Sequence, residues 1–369
     1  MAGTSVSTES FARQKNAAYK GARLRMAIIG CGGVSEIQLK ALQTMPDVEI
    51  VAGADINPQR LQSTKDKFAL TALYTDYHKM LKEIKPDAVT VCTPNAVHAP
   101  ATIAALKAGA HVITEKPMAM SPEECQSMID AANKANRKLA VGFQYRFHPA
   151  TQMLRRARDE GQFGKVMFVK CQALRRRGIP NWGVFGQKHL QGGGPMIDIG
   201  VHVIEMAHYV MGSPKPVAAT GKTWTYMGNK PNDVSSMWPD WDWKTYTVED
   251  LAIGHIRFDN GAVIQIEACF AGHIERDVWN FTLAGEKGGC TWDPPAIFTD
   301  RAGTMTHTTP AYLAEGDFFT LFKLKLRNFV DGVLRDQPLE APGEAGAAVQ
   351  KIVDGVYRSS EAGKEVRIG

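Results

Sequence analysis

At 369 residues, 44% hydrophobic and 22% charged, the chain has ordinary soluble globular composition and length enough for two domains with their own cores. Its 43 Lys and Arg against 38 Asp and Glu leave a net charge of +5, and no long basic run carries interleaved aromatics, which argues against nucleic acid as a partner. No apolar stretch approaches the roughly 20 residues of a membrane helix, and the six cysteines contain no C-x-x-C pair, so they read as reduced, structural thiols of a cytoplasmic protein.

Residues 1–22 are Ser/Thr-rich and then mixed, with no apolar h-region, so they do not read as a signal peptide. They read as an N-terminal arm, either a tail or a segment that wraps another subunit. From Met26 strands and helices alternate: strand 26–29, helix 37–42, strand 48–54, helix 60–68, strand 88–92, an alanine-rich helix 101–108, strand 111–114 and strand 139–143. Ser121-Pro122-Glu123-Glu124 opens another helix, with a capping serine, proline at the first helical position and acids in the first turn. Repeated βα units predict a doubly wound parallel sheet covered on both faces, here over 23–145. After Arg146 the character changes to strands with partial alternation, 166–173, 252–258, 261–270 and 281–284, the middle two joined by the hairpin signal Asp259-Asn260-Gly261. Helices return at 318–334 and 344–360, so 146–369 reads as an α/β domain with a mostly antiparallel sheet.

Gly30-Cys31-Gly32-Gly33-Val34-Ser35 follows the first strand and opens a helix as G-x-G-x-x-S. The first glycine permits the tight turn, and the second lets the backbone approach a pyrophosphate held by amides at the helix N-terminus. Serine in the third place is small enough for close helix–strand packing. Asp55 ends the second strand, where a carboxylate accepts bonds from ribose hydroxyls and repels a 2′-phosphate, favouring NAD over NADP. The alternative role for Asp55 is a cap of the helix that contains Arg60. Two further strand ends, Thr93-Pro94-Asn95 with His98 and Glu115-Lys116-Pro117, point toward the same crevice. His98 either frames the nicotinamide side or packs at the start of its helix.

In Gly192-Gly193-Gly194-Pro195-Met196-Ile197-Asp198-Ile199-Gly200-Val201-His202, an aspartate and a histidine lie four apart, on one face of a helix. With Lys116 and a nicotinamide they suit hydride transfer. His202 is the candidate base, because imidazole titrates near neutral pH. Asp198 would orient its ring or hold a hydroxyl, and Lys116 would stabilise alkoxide character. A competing arrangement puts Asp198, His202 and Glu205 on one face as metal ligands, but no second ligand pair accompanies them, so no metal is expected. Arg175-Arg176-Arg177 follows a strand and suits hydroxyls or a phosphate, and equally a solvated strand end. Trp182 and the loop of Trp238, Trp241 and Trp243 with Asp240 and Asp242 suit pyranose faces, and equally a subunit interface.

Together these motifs, with Tyr145-Arg146-Phe147 and Pro149, resemble the Gfo/Idh/MocA family of sugar and cyclitol oxidoreductases from about Arg25 to Ile368. The resemblance implies an N-terminal Rossmann domain and a C-terminal α/β domain with a large open sheet. It also implies final helices packed back on the Rossmann domain, a cis Lys116–Pro117 bond and a homo-oligomer (dimer, tetramer or hexamer). The implied cofactor contacts are Gly30, Gly32, Gly33, Val34, Asp55, Ile56, Arg60, Thr93, Pro94, Asn95, His98, Glu115, Lys116 and Gln144. Lys116, Asp198 and His202 become the catalytic set, and Arg146, Arg176, Arg177, Trp182 and Trp243 the substrate contacts. The histidine at 202 places the chain nearer the inositol and pyranoside dehydrogenases. The expected reaction is reversible oxidation of a secondary hydroxyl, at C3, of a sugar, glycoside or cyclitol. The alternatives are a glycosidase that retains NAD and acts by oxidation, elimination and reduction, and a non-catalytic NAD-sensing module.

Overall fold

The computed structural model describes residues 21–369, so the arm expected over 1–22 lies, but for its last two residues, outside them. Six strands form the first sheet: β1 (Leu24–Ile29), β2 (Val48–Ala54), β3 (Leu73–Tyr74), β4 (Ala88–Val91), β5 (His111–Thr114) and β6 (Leu139–Val141). All its pairings are parallel, in the order β3-β2-β1-β4-β5-β6. Their crossovers are α1 (Gly33–Gln43), α2 (Pro58–Phe68), α3 (Tyr77–Ile84), α4 (Asn95–Lys107) and α5 (Pro122–Ala135). Strand order reverses between β1 and β4, and ligands of such sheets bind beyond the carboxyl ends of the strands at that switch point.

Local chemistry sets the helix starts. Ser121 Oγ accepts from Glu124 N at 3.2 Å, and Asn57 accepts from the amides of Gln59 and Arg60. The helix expected over 101–108 begins six residues earlier, at Asn95, and carries Pro100 inside it. The proline masks the continuity of the segment, because a proline within a helical pattern normally breaks it.

A short 3-10 turn at Gln144–Phe147 and α6 (Pro149–Asp159) lead to the second sheet. Its strands are β7 (Val166–Leu174), β8 (Pro216–Trp224), β9 (Leu251–Phe258), β10 (Val263–Cys269), β11 (Val278–Gly285), β12 (Gly288–Thr291), β13 (Ala296–Arg301), β14 (Thr304–Thr308) and β15 (Val366–Arg367). The order is β14-β13-β12-β11-β7-β10-β9-β8-β15, antiparallel except for β7 with β10. The β9–β10 hairpin turns where Asn-Gly stands, with Gly261 at φ +86°.

Along β9 burial alternates residue by residue, so one face of the sheet is covered. Packed on that sheet is α7 (Val201–Val210), every residue of which is buried. Two helices close the chain, α8 (Phe318–Arg335) and α9 (Gly343–Ala362). Leu326, Phe329 and Val330 of α8 share a core cluster with Leu24, Met26, Leu42 and Ile113 of the first sheet and α1. Ionic links reinforce this seam: Arg327 forks onto both oxygens of Asp47, at 2.7 and 3.0 Å. No described helix is long and apolar enough to cross a membrane.

Candidate active site

The nucleotide end is built on the first βα turn. Gly30 sits at φ +91°, and a Cβ there would stand 2.6 Å from the carbonyl oxygen of Cys92, so only glycine fits against β4. Gly32 and Gly33 differ: a Cβ on either meets nothing within 4 Å. They border open space at the N-terminus of α1, where free amides favour an anion. Ser35 is fully buried and its Oγ donates to Gly32 O at 2.5 Å, closing the first turn. Asp55 accepts from Cys31 N and Asn57 N, both at 2.8 Å. The cap of α2 is Asn57, not Asp55. Asp55 therefore ties the glycine turn to the end of β2. Ile56 is 91% exposed beside it and Arg60 is exposed in the first turn of α2. Two buried side-chain oxygens, Thr93 Oγ1 and Gln144 Oε1, have no partner. An open cradle at a helix N-terminus and orphaned acceptors near the strand ends fit a bound dinucleotide.

Lys116 leaves the end of β5 on a cis bond to Pro117. His98 is buried, and its two ring nitrogens lie 2.7 Å from Pro117 O and 2.9 Å from Thr93 O. Both nitrogens thus face backbone carbonyls, and the ring, its pKa lowered by burial, donates to one of them, so His98 packs two strand-end turns together. Glu115 also departs from the expected role. Its carboxylate turns inward to Lys325 of α8 and to Gln38 Nε2 of α1, the latter at 2.5 Å, and Gln38 in turn accepts from Thr90 Oγ1. The residue supports the lysine from behind. Asn95 Nδ2 donates to Gln191 O at 2.8 Å, linking α4 to the segment before the triple glycine.

Close packing explains the glycines that follow. A Cβ on Gly193 would lie 2.1 Å from the Tyr357 hydroxyl, and one on Gly194 2.0 Å from Glu249 O. Glu249 is buried and accepts from Gly194 N, Met196 N and the Tyr357 hydroxyl, at 2.8, 3.2 and 2.7 Å. It thereby anchors the start of a wide π-type turn, Met196–Gly200, that runs into α7. Turns of this kind occur often at functional sites. Lys116 Nζ donates to both Asp198 O and Asp198 Oδ1, each at 2.8 Å. The Asp198 carboxylate faces the lysine rather than His202, and no bond joins Asp198 to the imidazole among the described residues.

His202 is 6% exposed, and its Nδ1 is buried without a partner. Its ring meets Tyr145 edge-on at 5.1 Å and Trp279 at 5.8 Å. Burial first, then the positive charges of Lys116, Lys325 and Arg175, hold its pKa well below 6.5. The imidazole is therefore neutral near pH 7, the state in which it accepts a proton.

Three expected substrate contacts are placed otherwise. Arg146 is 2% exposed, and its Nε donates to Glu205 at 2.8 Å while Nη1 bonds the Glu340 carbonyl. It is an internal partner of Glu205, buried away from solvent. The same ion pair removes Glu205 from any ligand face with Asp198 and His202. The Arg176 amide donates to Asp277 Oδ1 and its guanidinium to Glu275 O, and the Arg177 guanidinium donates to Gly272 O, so both side chains lie against the loop before β11. The arginine that approaches the centre is Arg175, whose charge is felt by both Asp198 and Tyr145. Strand parity separates it from Arg176, since Arg175 extends the buried series Cys171 and Ala173, but not from Arg177, which shares that parity and is told apart only by its bond to Gly272 O. Tyr145 and Trp279, the aromatic walls of His202, are also legible only in three dimensions.

Among the tryptophans, Trp241 is a buried plug bonded to Gly228 O, and the ring partner of Trp243 is Lys244. Trp182 is 49% exposed and packs on Trp238 at 4.7 Å.

A dinucleotide cradle at the carboxyl end of the parallel sheet, together with a lysine, an aspartate and a neutral imidazole, defines a nicotinamide-dependent oxidoreductase of two α/β domains. Residues 24–143 match the NAD-binding Rossmann fold of the Gfo/Idh/MocA oxidoreductase family, and residues 156–368 match its C-terminal alpha/beta domain. The chain belongs to that family. It is 36% identical to a D-glucoside 3-dehydrogenase of Escherichia coli (strain K12), over 94% of this chain and 97% of the relative. It is 25% identical to a myo-inositol 2-dehydrogenase of Thermotoga maritima, over 94% and 98%. A solved levoglucosan dehydrogenase in complex with NADH superposes with a TM-score of 0.82 at 23% identity, covering 94% of this chain and 99% of that one.

Proposed function

We propose that the protein oxidises the C3 hydroxyl of a pyranoside, reversibly, with NAD in preference to NADP. The observation that carries this reading is the Lys116–Asp198 pair beside a neutral His202 whose buried Nδ1 has no partner, in a chain that also carries an open glycine turn at a helix N-terminus. The C3 position is supported by the 36% identity to a glucoside 3-dehydrogenase.

The chain's own residues divide the work. Gly32, Gly33 and the amides opening α1 would hold the pyrophosphate, and Asp55 the adenosine ribose. When bound, the nicotinamide ring accepts a hydride. His202, held neutral near pH 7 by burial and the neighbouring cations, takes the proton of the reacting hydroxyl. Lys116 donates to the same oxygen as negative charge develops on it, and Asp198 fixes the ammonium there.

The test is NADH formation by the purified protein with NAD or NADP across glucose, methyl glucoside and myo-inositol, followed by mass spectrometry of the product. A 3-keto pyranoside formed with NAD is expected. Turnover of inositol alone, or preference for NADP, would replace the reading.

A further inference from the structure

We propose that Trp182 and Trp238, reached through Arg175, form a second subsite that receives the aglycone ring of the glycoside. This rests on the function proposed above and adds the part of the substrate that is not oxidised. The argument starts with a row of stacked groups leading outward. Arg175 lies 5.1 Å from the Trp238 ring centroid and 5.6 Å from that of Phe270. Trp238 meets Trp182 at 4.7 Å, nearly perpendicular at 85°, and Trp182 meets Phe185 at 6.0 Å. At the inner end, Arg175 feels the charge of Asp198. At the outer end, Trp182 leaves half its surface open. Beside it is a cavity of about 70 Å³ lined by Pro180, Phe185, Trp241 and Tyr246.

The wall is built in advance. Asp250 Oδ2 accepts from the amides of Tyr226, Met227 and Gly228, at 2.9, 2.7 and 2.7 Å, which fixes the base of the tryptophan loop. Trp241 plugs the loop from below through its bond to Gly228 O. Thr247 stitches the two loops together, donating from N to Gly186 O at 2.8 Å and accepting at Oγ1 from Lys188 N at 2.9 Å. A preformed aromatic face binds a ring without first ordering itself.

Pyranose geometry supplies the direction. With C3 turned toward Lys116 and His202, the ring oxygen stands opposite, with C1 and C5 flanking it at the outer end. A substituent on O1 then points away from the reacting atoms, and the proposal seats it on the row of Arg175, Trp238 and Trp182. The Arg175 guanidinium spends one donor on Gly178 O and keeps others for the glycosidic oxygen. The occupant is thus a ring with a flat apolar face, whether an aromatic aglycone or a second sugar.

The test compares kcat/KM for glucose, methyl glucoside, phenyl glucoside and a glucosyl-glucose disaccharide in the full-length wild type, Trp182→Ala and Trp238→Ala. Wild type should prefer phenyl glucoside, the disaccharide or both over methyl glucoside by roughly tenfold or more, the worth of covering an exposed aromatic face. In both variants that ratio should collapse toward one, whereas a folding defect alone would lower every substrate alike. A wild type without ring preference, or variants that keep it, would overturn the subsite and leave the oxidation intact. No oxidation of any sugar would remove both proposals.

Discussion

Lys116 and Asp198, 82 residues apart in sequence, meet through two 2.8 Å contacts, the ammonium touching both the backbone oxygen and the carboxylate of the aspartate. One residue comes from the end of a parallel strand and the other from the wide turn before α7, so the pair locks the two domains in register. Lys116→Met should lower kcat by about 10² or more, as loss of an oxyanion-stabilising donor does. NAD affinity, read by titration of protein fluorescence, should change little. Asp198→Asn keeps the hydrogen bond and loses the charge, so its effect on kcat should be the smaller. Equal affinity losses with intact kcat would assign the pair to cofactor binding instead.

His202 supports a kinetic and a thermodynamic expectation. His202→Ala should lower kcat by about 10². Because burial and neighbouring cations depress its folded pKa, the unfolded chain binds a proton that the folded chain does not as pH falls below 6.5. Stability is then lost toward acid. His208, lowered by burial to about 4, acts with the same sign. Glu205, raised by burial to about 7, acts with the opposite sign over the same range, so the comparison is with the variant: between pH 7 and pH 5 the urea midpoint of His208→Gln should fall less than that of the wild type. A variant whose midpoint falls as steeply as the wild type's would contradict the assigned direction.

Two glycines separate packing from ligand contact. Gly32→Ala places its methyl in open space and should keep the wild-type melting temperature while raising KM for NAD about tenfold or more, because that backbone must approach a pyrophosphate. Gly194→Ala places a methyl 2.0 Å from the backbone oxygen of Glu249 and should fail to fold, or melt far lower. Thermal melts with and without NAD check both.

Asp55→Ala should weaken NAD by about 10- to 100-fold, the worth of hydrogen bonds to a charged acceptor. It should also narrow the gap between NAD and NADP. Because Asp55 holds the amides of Cys31 and Asn57, a loss of about 1 kcal/mol in stability should accompany it. Unchanged cofactor preference with the stability loss alone would mark Asp55 as a purely local brace.

Lys325 and Glu115 form a buried ion pair between α8 and β5. Lys325→Met leaves the carboxylate in the interior without its cation, at a cost of about 3–5 kcal/mol. Adding Glu115→Gln removes the stranded charge and keeps an amide beside Gln38, so the double variant should recover most of that loss by denaturant titration. Additive losses would show that the two side chains do not act as a pair.

The parallel sheet was legible because its strands are short, apolar and punctuated, and the β9–β10 hairpin because Asn-Gly fits the turn that joins it. The motif glycines and Lys116 announce their neighbourhood by following strands. What periodicity conceals is which neighbour a polar side chain meets. Arg146 stands in a run that reads as pocket-lining, yet it bonds Glu205, 59 residues later. Of the two roles open to His98, the carbonyls of Pro117 and Thr93 facing its ring nitrogens favour packing at the start of its helix, which no periodicity decides. Arg175 was hidden among three arginines: the two-residue period of β7 sets it apart from Arg176 but not from Arg177, which has the same parity. The π-type turn has no sequence signature comparable with that of a cap.

The cluster in which Leu326, Phe329 and Val330 cover Leu24, Met26, Leu42 and Ile113 has a practical corollary for dissecting or recombining such chains. A fragment cut at residue 143 would carry every cofactor motif from Gly30 to Lys116 yet expose this apolar strip, with Asp47 and Glu115 stripped of their cations. Such a fragment should aggregate. A chimera that exchanges the nucleotide half between relatives should succeed only when α8 travels with it.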